Sequence, residues 1–232
     1  MPQEATMTRN RVILDIETQR DFFHPNGSSY RPEASLVAKN IYRLIRCARK
    51  RHVPVISTVL RIRPGDLGPL ASVPHCIEGT TGEMKMARTL LAHRMNLGLR
   101  NITDLPPGLL HQYQQVIIEK RYTDIFRHSR IERLISEMPA TTLFIVCGAG
   151  LGQGIVEAVI GLRSRGLGVI VPRDAVLMTD GPHYALPLER MEAKGALIVA
   201  TDKIILPPRF RPVGHPAGRP VGRWAGAGAK QR

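Results

Sequence analysis

The sequence predicts an α/β fold: a three-layer, doubly wound sandwich around a mostly parallel sheet of about six strands. Strand and helix patterns alternate along the chain, and several strands are continuous apolar runs rather than in–out alternations. A strand covered on both faces reads as such a run, and its connections are crossover helices lying on the sheet. Right-handed crossovers then complete the two outer layers.

The elements follow in order. Val12-Ile13-Leu14 opens the first strand, which runs into Asp15-Ile16-Glu17. Pro32-Glu33-Ala34 starts a helix, with proline in the first turn where its missing N–H does no harm. The stripe Leu36, Val37, Ile41, Leu44, Ile45 and Ala48 fits the 3.6-residue period of an amphipathic helix. A basic turn leads to a β-branched strand over 53–60. Between 61 and 112 the pattern loosens, with a helix expected over 84–94 and a short one over 109–113 after Pro106-Pro107-Gly108. Irregular stretches of this length are often functional or make partner contacts. Regularity returns with strands over 116–118, 142–146, 169–171 and 196–200, and helices over 131–138, 155–165 and 186–194.

Forty-three per cent apolar residues in 232 suffice for one sizeable core. The expected organisation is a flexible segment 1–10, a domain over 11–206 and a disordered tail over 207–232. That tail holds six basic residues, five prolines, five glycines and no acid, so it cannot bury enough surface to order itself. A net charge of +14 and this tail suit contact with nucleic acid or an acidic partner. No apolar run is long enough for a bilayer span, which excludes a membrane as partner in this reading. Cys47, Cys76 and Cys147 are widely spaced and odd in number, which argues against a disulfide framework or a structural zinc site and for a cytoplasmic protein. His24, His52, His75 and His183 form no tight ligand cluster, so neither metal nor cofactor is expected.

In open sheets of this kind ligands bind beyond the carboxyl ends of the strands. The first strand ends in Asp15-Ile-Glu17-Thr-Gln19-Arg-Asp21-Phe22-Phe23. The third ends in Glu119-Lys120, with Phe126 six residues after the lysine. The fourth leads into Cys147-Gly148-Ala149-Gly150-Leu151-Gly152-Gln153-Gly154-Ile155-Val156. Over residues 11–205 this ordered set resembles the isochorismatase-like cysteine hydrolases, which include nicotinamidases and related amidases.

The resemblance implies a cysteine nucleophile activated by a carboxylate and a lysine, since the thiolate is the attacking species. It implies an oxyanion held by backbone N–H groups of the turn before the cysteine, an unusual cis peptide between Ala149 and Gly150, and self-association into a homo-oligomer. Residue by residue, Lys120 matches the family lysine and Phe126 the aromatic position. Glu17 matches the catalytic acid when Gln19-Arg20-Asp21-Phe22 is aligned without a gap, and Asp15 matches it by position at the strand end. A period of two puts both on one face of an extended strand, so both stay open, with Glu17 preferred. Asp21, Phe22, Phe126, Ala149 and Gly150 fall where the substrate pocket is expected. The nucleophile position departs from the pattern: Gly154 stands where cysteine belongs, and Gly152 where the family usually has aspartate.

The expectation is therefore a degenerate or repurposed hydrolase that binds or processes a small acidic metabolite. Two alternatives remain open. One is a non-catalytic oligomeric protein presenting its basic tail. The other is a nucleotide-binding module, in which the glycines of 148–154 and Asp174 stand for a dinucleotide fingerprint, although their spacing does not match G-x-G-x-x-G.

Overall fold

The computed structural model describes residues 10–66, 73–179, 181 and 183–205. Residues 1–9 and the expected tail over 207–232 lie outside the described residues.

The centre of the molecule is a sheet of eight strands in the order β3-β4-β2-β1-β5-β6-β8, with β7 also paired to β5. The strands are β1 (Arg11–Ile16), β2 (Val55–Leu60), β3 (Arg94–Asn96), β4 (Gln115–Lys120), β5 (Leu143–Ala149), β6 (Gly168–Pro172), β7 (Val176–Leu177) and β8 (Leu197–Val199). Every pairing between them is parallel. The count exceeds the expected six because β3 and β7 are short: β3 reads Arg-Met-Asn and β7 has two residues, so neither gives an apolar run.

The helices are α1 (Arg20–Phe23), α2 (Ala34–Arg51), α3 (Leu109–Gln112), α4 (Ser129–Ser136), α5 (Val156–Ser164), α6 (Ala185–Ala193) and α7 (Thr201–Ile205). Alternate residues of each strand feed two separate cores. Val12, Leu14 and Ile16 join Ile56, Val116, Ile118, Phe144 and Val146 beneath α3–α6. Ile13 joins Val55, Ile145 and Cys147 beneath α1 and α2. This division follows from the period of two in a strand and makes the molecule three-layered.

Helix α2 buries Val37, Ile41, Leu44, Ile45 and Ala48 as expected. Leu36, however, is 62% exposed, and Ala34 and Ala38 fill the remaining stripe positions against the sheet. The helix stops at His52, which takes a left-handed backbone and returns its N–H to the Ala48 carbonyl.

The helix expected over 84–94 does not form. Gln19 and Lys85 instead make an antiparallel bridge, and residues 87–89 make a single tight turn. The Gln115 carboxamide accepts the Leu91 N–H and donates to the Thr89 carbonyl, pinning this stretch against the sheet. Those tertiary bonds override a local helical pattern worth little by itself.

Candidate functional site

Strand order reverses beside β1: β2, β4 and β3 lie outward on one side of it and β5, β6 and β8 on the other. The carboxyl ends of β1 and β5 thus flank the crevice where such sheets receive ligands. Glu17 follows β1 there, and Gly148-Ala149-Gly150 closes β5.

Glu17 has φ of 50°, a left-handed conformation costly for a side-chain-bearing residue. It is held by its N–H bond to the Thr58 carbonyl (3.2 Å) and by the Gln19 N–H on its own carbonyl (2.7 Å). This conformation ends the extended run of β1, and Asp15 and Glu17 take different partners. Asp15 lies in register with Ser57 and Cys147 and accepts bonds from Ser57 Oγ (3.0 Å), Thr18 Oγ1 (3.3 Å) and Lys85 Nζ (2.6 Å). Glu17 instead pairs with Lys120, the last residue of β4. Lys120 also donates to the carbonyls of Tyr122 (2.6 Å) and Thr123 (3.3 Å), so all three of its N–H groups are used. The pair is sealed: Glu17 is 4% and Lys120 1% exposed.

The glycine-rich turn comes onto this pair. Gly148 has φ of 129°, and a Cβ there would overlap the Ile16 carbonyl, so glycine is what lets β5 lie against the end of β1. Gly150, also left-handed, opens a π-turn over Leu151–Ile155 that leads into α5. The N–H groups of Gln153 and Ile155 both return to the Gly150 carbonyl. No peptide bond among the described residues is cis, so the bond between Ala149 and Gly150 is trans. Gly154 sits directly on the ion pair. A Cβ added to it would lie 3.8 Å from Glu17 Oε1, 3.4 Å from the Thr123 carbonyl and 4.0 Å from Ile16 Cγ2.

The other candidate residues are tied into the framework. Asp21 accepts the N–H groups of Ser28 (3.1 Å) and Cys76 (2.6 Å), and Gly82 backs closely on its carboxylate. Phe22 packs in the core with its ring tilted against His75, 5.5 Å between centroids. Phe126 lies against Gly161 of α5 and beneath the Arg165 guanidinium, 3.8 Å from its ring centre. Ala149 is buried in the pairing of β5 with β7. Asp174 accepts the N–H and hydroxyl of Thr201 (2.8 and 2.7 Å) and thereby caps α7.

Sequence reasoning missed Lys85, whose buried ammonium reaches Asp15 and Thr18, and Gln19, whose carboxamide bonds the Leu60 N–H and carbonyl and the Glu83 carbonyl. Gln19 stood in the motif. Lys85 had no local signal, because only the bridge to Gln19 brings it in.

Burial pushes the Cys147 thiol well up, and nearby Asp15 pushes it further. Burial does the same to Cys76, with Glu17 and Asp21 adding to the rise and Lys120 opposing it. Neither is therefore a ready thiolate. Among the described residues no cluster of three or more His, Cys, Asp or Glu side chains is placed to hold a metal ion. No helix among them is long and apolar enough to cross a membrane.

No protein-family model matches the sequence, nor does any curated protein. Solved structures do match. A nicotinamidase/pyrazinamidase from Bacillus subtilis superposes with a TM-score of 0.63 at 16% identity, over 82% of this chain and 99% of that one. A putative isochorismatase hydrolase from Oleispira antarctica gives 0.64 at 14% identity, over 86% and 98%. The fold is that of the isochorismatase-like hydrolases. An N-carbamoylsarcosine amidase from Thermoplasma acidophilum shares this isochorismatase-like fold, with a TM-score of 0.61 at 15% identity over 83% and 97% of the two chains.

Proposed function

We propose that this chain is a degenerate member of the isochorismatase-like hydrolase family, one that keeps the carboxylate–lysine pair but has lost the covalent step. The observation that carries the reading is the position of Gly154. Its absent Cβ would stand within 4 Å of Glu17 Oε1, the carboxylate that is paired with Lys120. A cysteine there would have both a base and a cation at hand, whereas glycine supplies no nucleophile. Cys147 offers no substitute, because it is fully buried and its thiol is raised.

What remains is a proton donor–acceptor pair beside a backbone turn at the start of α5. The positive end of that helix favours an anion, and Lys120 turns to it by giving up one of its three bonds, so the ligand class we assign is a small acidic metabolite that is held rather than cleaved by acyl transfer. Because the pair is sealed, such a ligand enters only if the turn over 150–155 or the 121–124 segment moves aside.

The test is a panel of small amides, vinyl ethers and carboxylic acids, read by turnover and by calorimetric binding. The expected outcome is no hydrolysis above the buffer rate, and binding of a small acid that Lys120→Ala abolishes. A covalent adduct trapped on any cysteine during turnover would overturn the reading.

A further inference from the structure

Helix α2 carries Lys39, Arg43, Arg46, Arg49, Lys50 and Arg51 in 18 residues and has no acidic residue. Cations in the last turn of a helix answer its dipole, which accounts for Arg49, Lys50 and Arg51. It does not account for Lys39 and Arg46, nor for Arg88 on a different segment facing them. Lys39, Arg43 and Arg46 stand at i, i+4 and i+7, on one side of the helix, and Arg49 follows one turn later. From Lys39 to Arg49 the row runs about 15 Å at 1.5 Å per residue.

These residues form one wall of a groove of about 430 Å³, whose other wall is the segment from Ala87 to Leu91. Arg43 is neutralised by Asp202 of α7. Among the described residues, Lys39, Arg46, Arg49 and Arg88 have no carboxylate partner. Arg88 is exposed and lies over the half-buried ring of Tyr42, 4.8 Å from its centre, so a cation–aromatic contact sits inside the charged row. Arg51 donates to the Ile205 carbonyl (3.4 Å), which brings the end of α7 to the C-terminal end of the same helix. The chain continues from there into the segment over 207–232, with its six further basic residues and no acid.

We propose that this groove binds the phosphodiester backbone of a single-stranded nucleic acid. A charged channel joined to an aromatic or guanidinium face is how sequence-tolerant binding of single strands is built: cations follow the phosphates and a base stacks on the flat face. A lipid surface fits less well, because a membrane-lying helix needs a free apolar face and that of α2 is buried against the sheet. The groove lies on the α2 layer, apart from the Glu17–Lys120 pair, so neither proposal depends on the other.

The experiment is fluorescence anisotropy of a labelled oligouridylate with the full chain across a salt series. The four unpaired groove cations contribute about −2.8 to the slope of log K against log salt, at about −0.7 per phosphate contact. Arg46→Glu with Arg49→Glu is expected to weaken binding at low salt by about tenfold or more and to reduce the slope by about 1.4. Lys39→Gln with Arg88→Gln, on both walls, gives an independent loss. The same losses are expected in a full-length background whose six tail cations are serine, which separates groove from tail. Absence of binding at low salt overturns the proposal. So do groove variants with wild-type affinity and slope, and so does capture by phosphatidylserine vesicles without any oligonucleotide binding.

Discussion

Replacing Gly154 by cysteine tests whether the pair beside it is a vacated active site. The Cβ meets the Thr123 carbonyl at 3.4 Å, Glu17 Oε1 at 3.8 Å and Ile16 Cγ2 at 4.0 Å, which are ordinary van der Waals separations. Gly154 is not among the residues with positive φ, so the new side chain brings no backbone strain. Removing a glycine from a helical turn gains about 0.5–1 kcal/mol, and the close Thr123 carbonyl takes back part of it. Stability should therefore change by no more than about 1 kcal/mol in a urea titration. The thiol would lie beside a carboxylate able to take its proton and an ammonium able to hold the thiolate, an arrangement worth roughly 10²–10⁴ in rate for the proton-transfer part. The assays are ammonia release from small amides and intact-mass detection of an acyl adduct at residue 154. Wild type should be silent, Gly154→Cys active, and Gly154→Cys with Lys120→Ala silent again. A folded Gly154→Cys protein whose new thiol alkylates no faster than Cys47, and which forms no adduct, would refute the reasoning. So would a stability loss beyond about 3 kcal/mol, which would mean that residue 154 has no room for a side chain.

Three further outcomes are expected. Lys120→Met strands Glu17 as a buried, unpaired carboxylate and should cost about 3–5 kcal/mol by chemical denaturation, whereas adding Glu17→Gln should recover much of it; equal losses in single and double variants would contradict the pairing. Gly161→Ala forces a methyl into the Phe126 ring and should cost about 1–3 kcal/mol, relieved by Phe126→Leu; a neutral Gly161→Ala would show that this contact is slack. Acid should destabilise the fold through His128 first. Burial, then the charges of Arg130 and Lys120, depress its folded pKa below 6.5, so in that window the unfolded chain binds more protons and stability falls as pH drops. His128→Asn should flatten the stability profile just below about pH 6.5, and an unchanged slope would remove His128 as the cause. At lower pH Glu119 adds a second loss: burial alone would raise its pKa, but bonds from Arg61 and Asn96 outweigh that and hold it below 4.5.

The parts of this molecule legible in its sequence were those set by local periodicity. The apolar runs of β1, β4 and β5 and the stripe of α2 each identified their element, because burial on two faces or on one stripe leaves a pattern in consecutive residues. Longer-range determinants left no such pattern. The stretch from Met84 to Arg94 has helix-like spacing, yet Gln115, some 25 residues away, holds it in another conformation. In the site, the family resemblance pointed to Lys120 and Gly154, and the structure sets both beside Glu17. The choice between Asp15 and Glu17 could not be made from period alone, because the left-handed turn at Glu17 that separates them is imposed by the neighbouring Thr58 and Gln19. Lys85 was invisible for the same reason.

The pairing of β1 with β5 has a consequence for how the chain must be made. Arg11 lies in register with Leu143, whose N–H bonds the Asn10 carbonyl, so one side of the central strand waits for a partner more than a hundred residues downstream. At ribosomal speeds of about 5–20 residues per second, that edge stands open for roughly ten seconds. Its sequence, Val-Ile-Leu, is the kind of apolar segment that pairs with whatever strand is nearest. Arg11 at the start of β1 and the acids Asp15 and Glu17 at its end bracket that segment while the nascent edge is still in water. The same acids that end up bonded to Ser57, Lys85 and Lys120 thus flank that edge beforehand, the placement by which gatekeeper residues oppose strand-to-strand association.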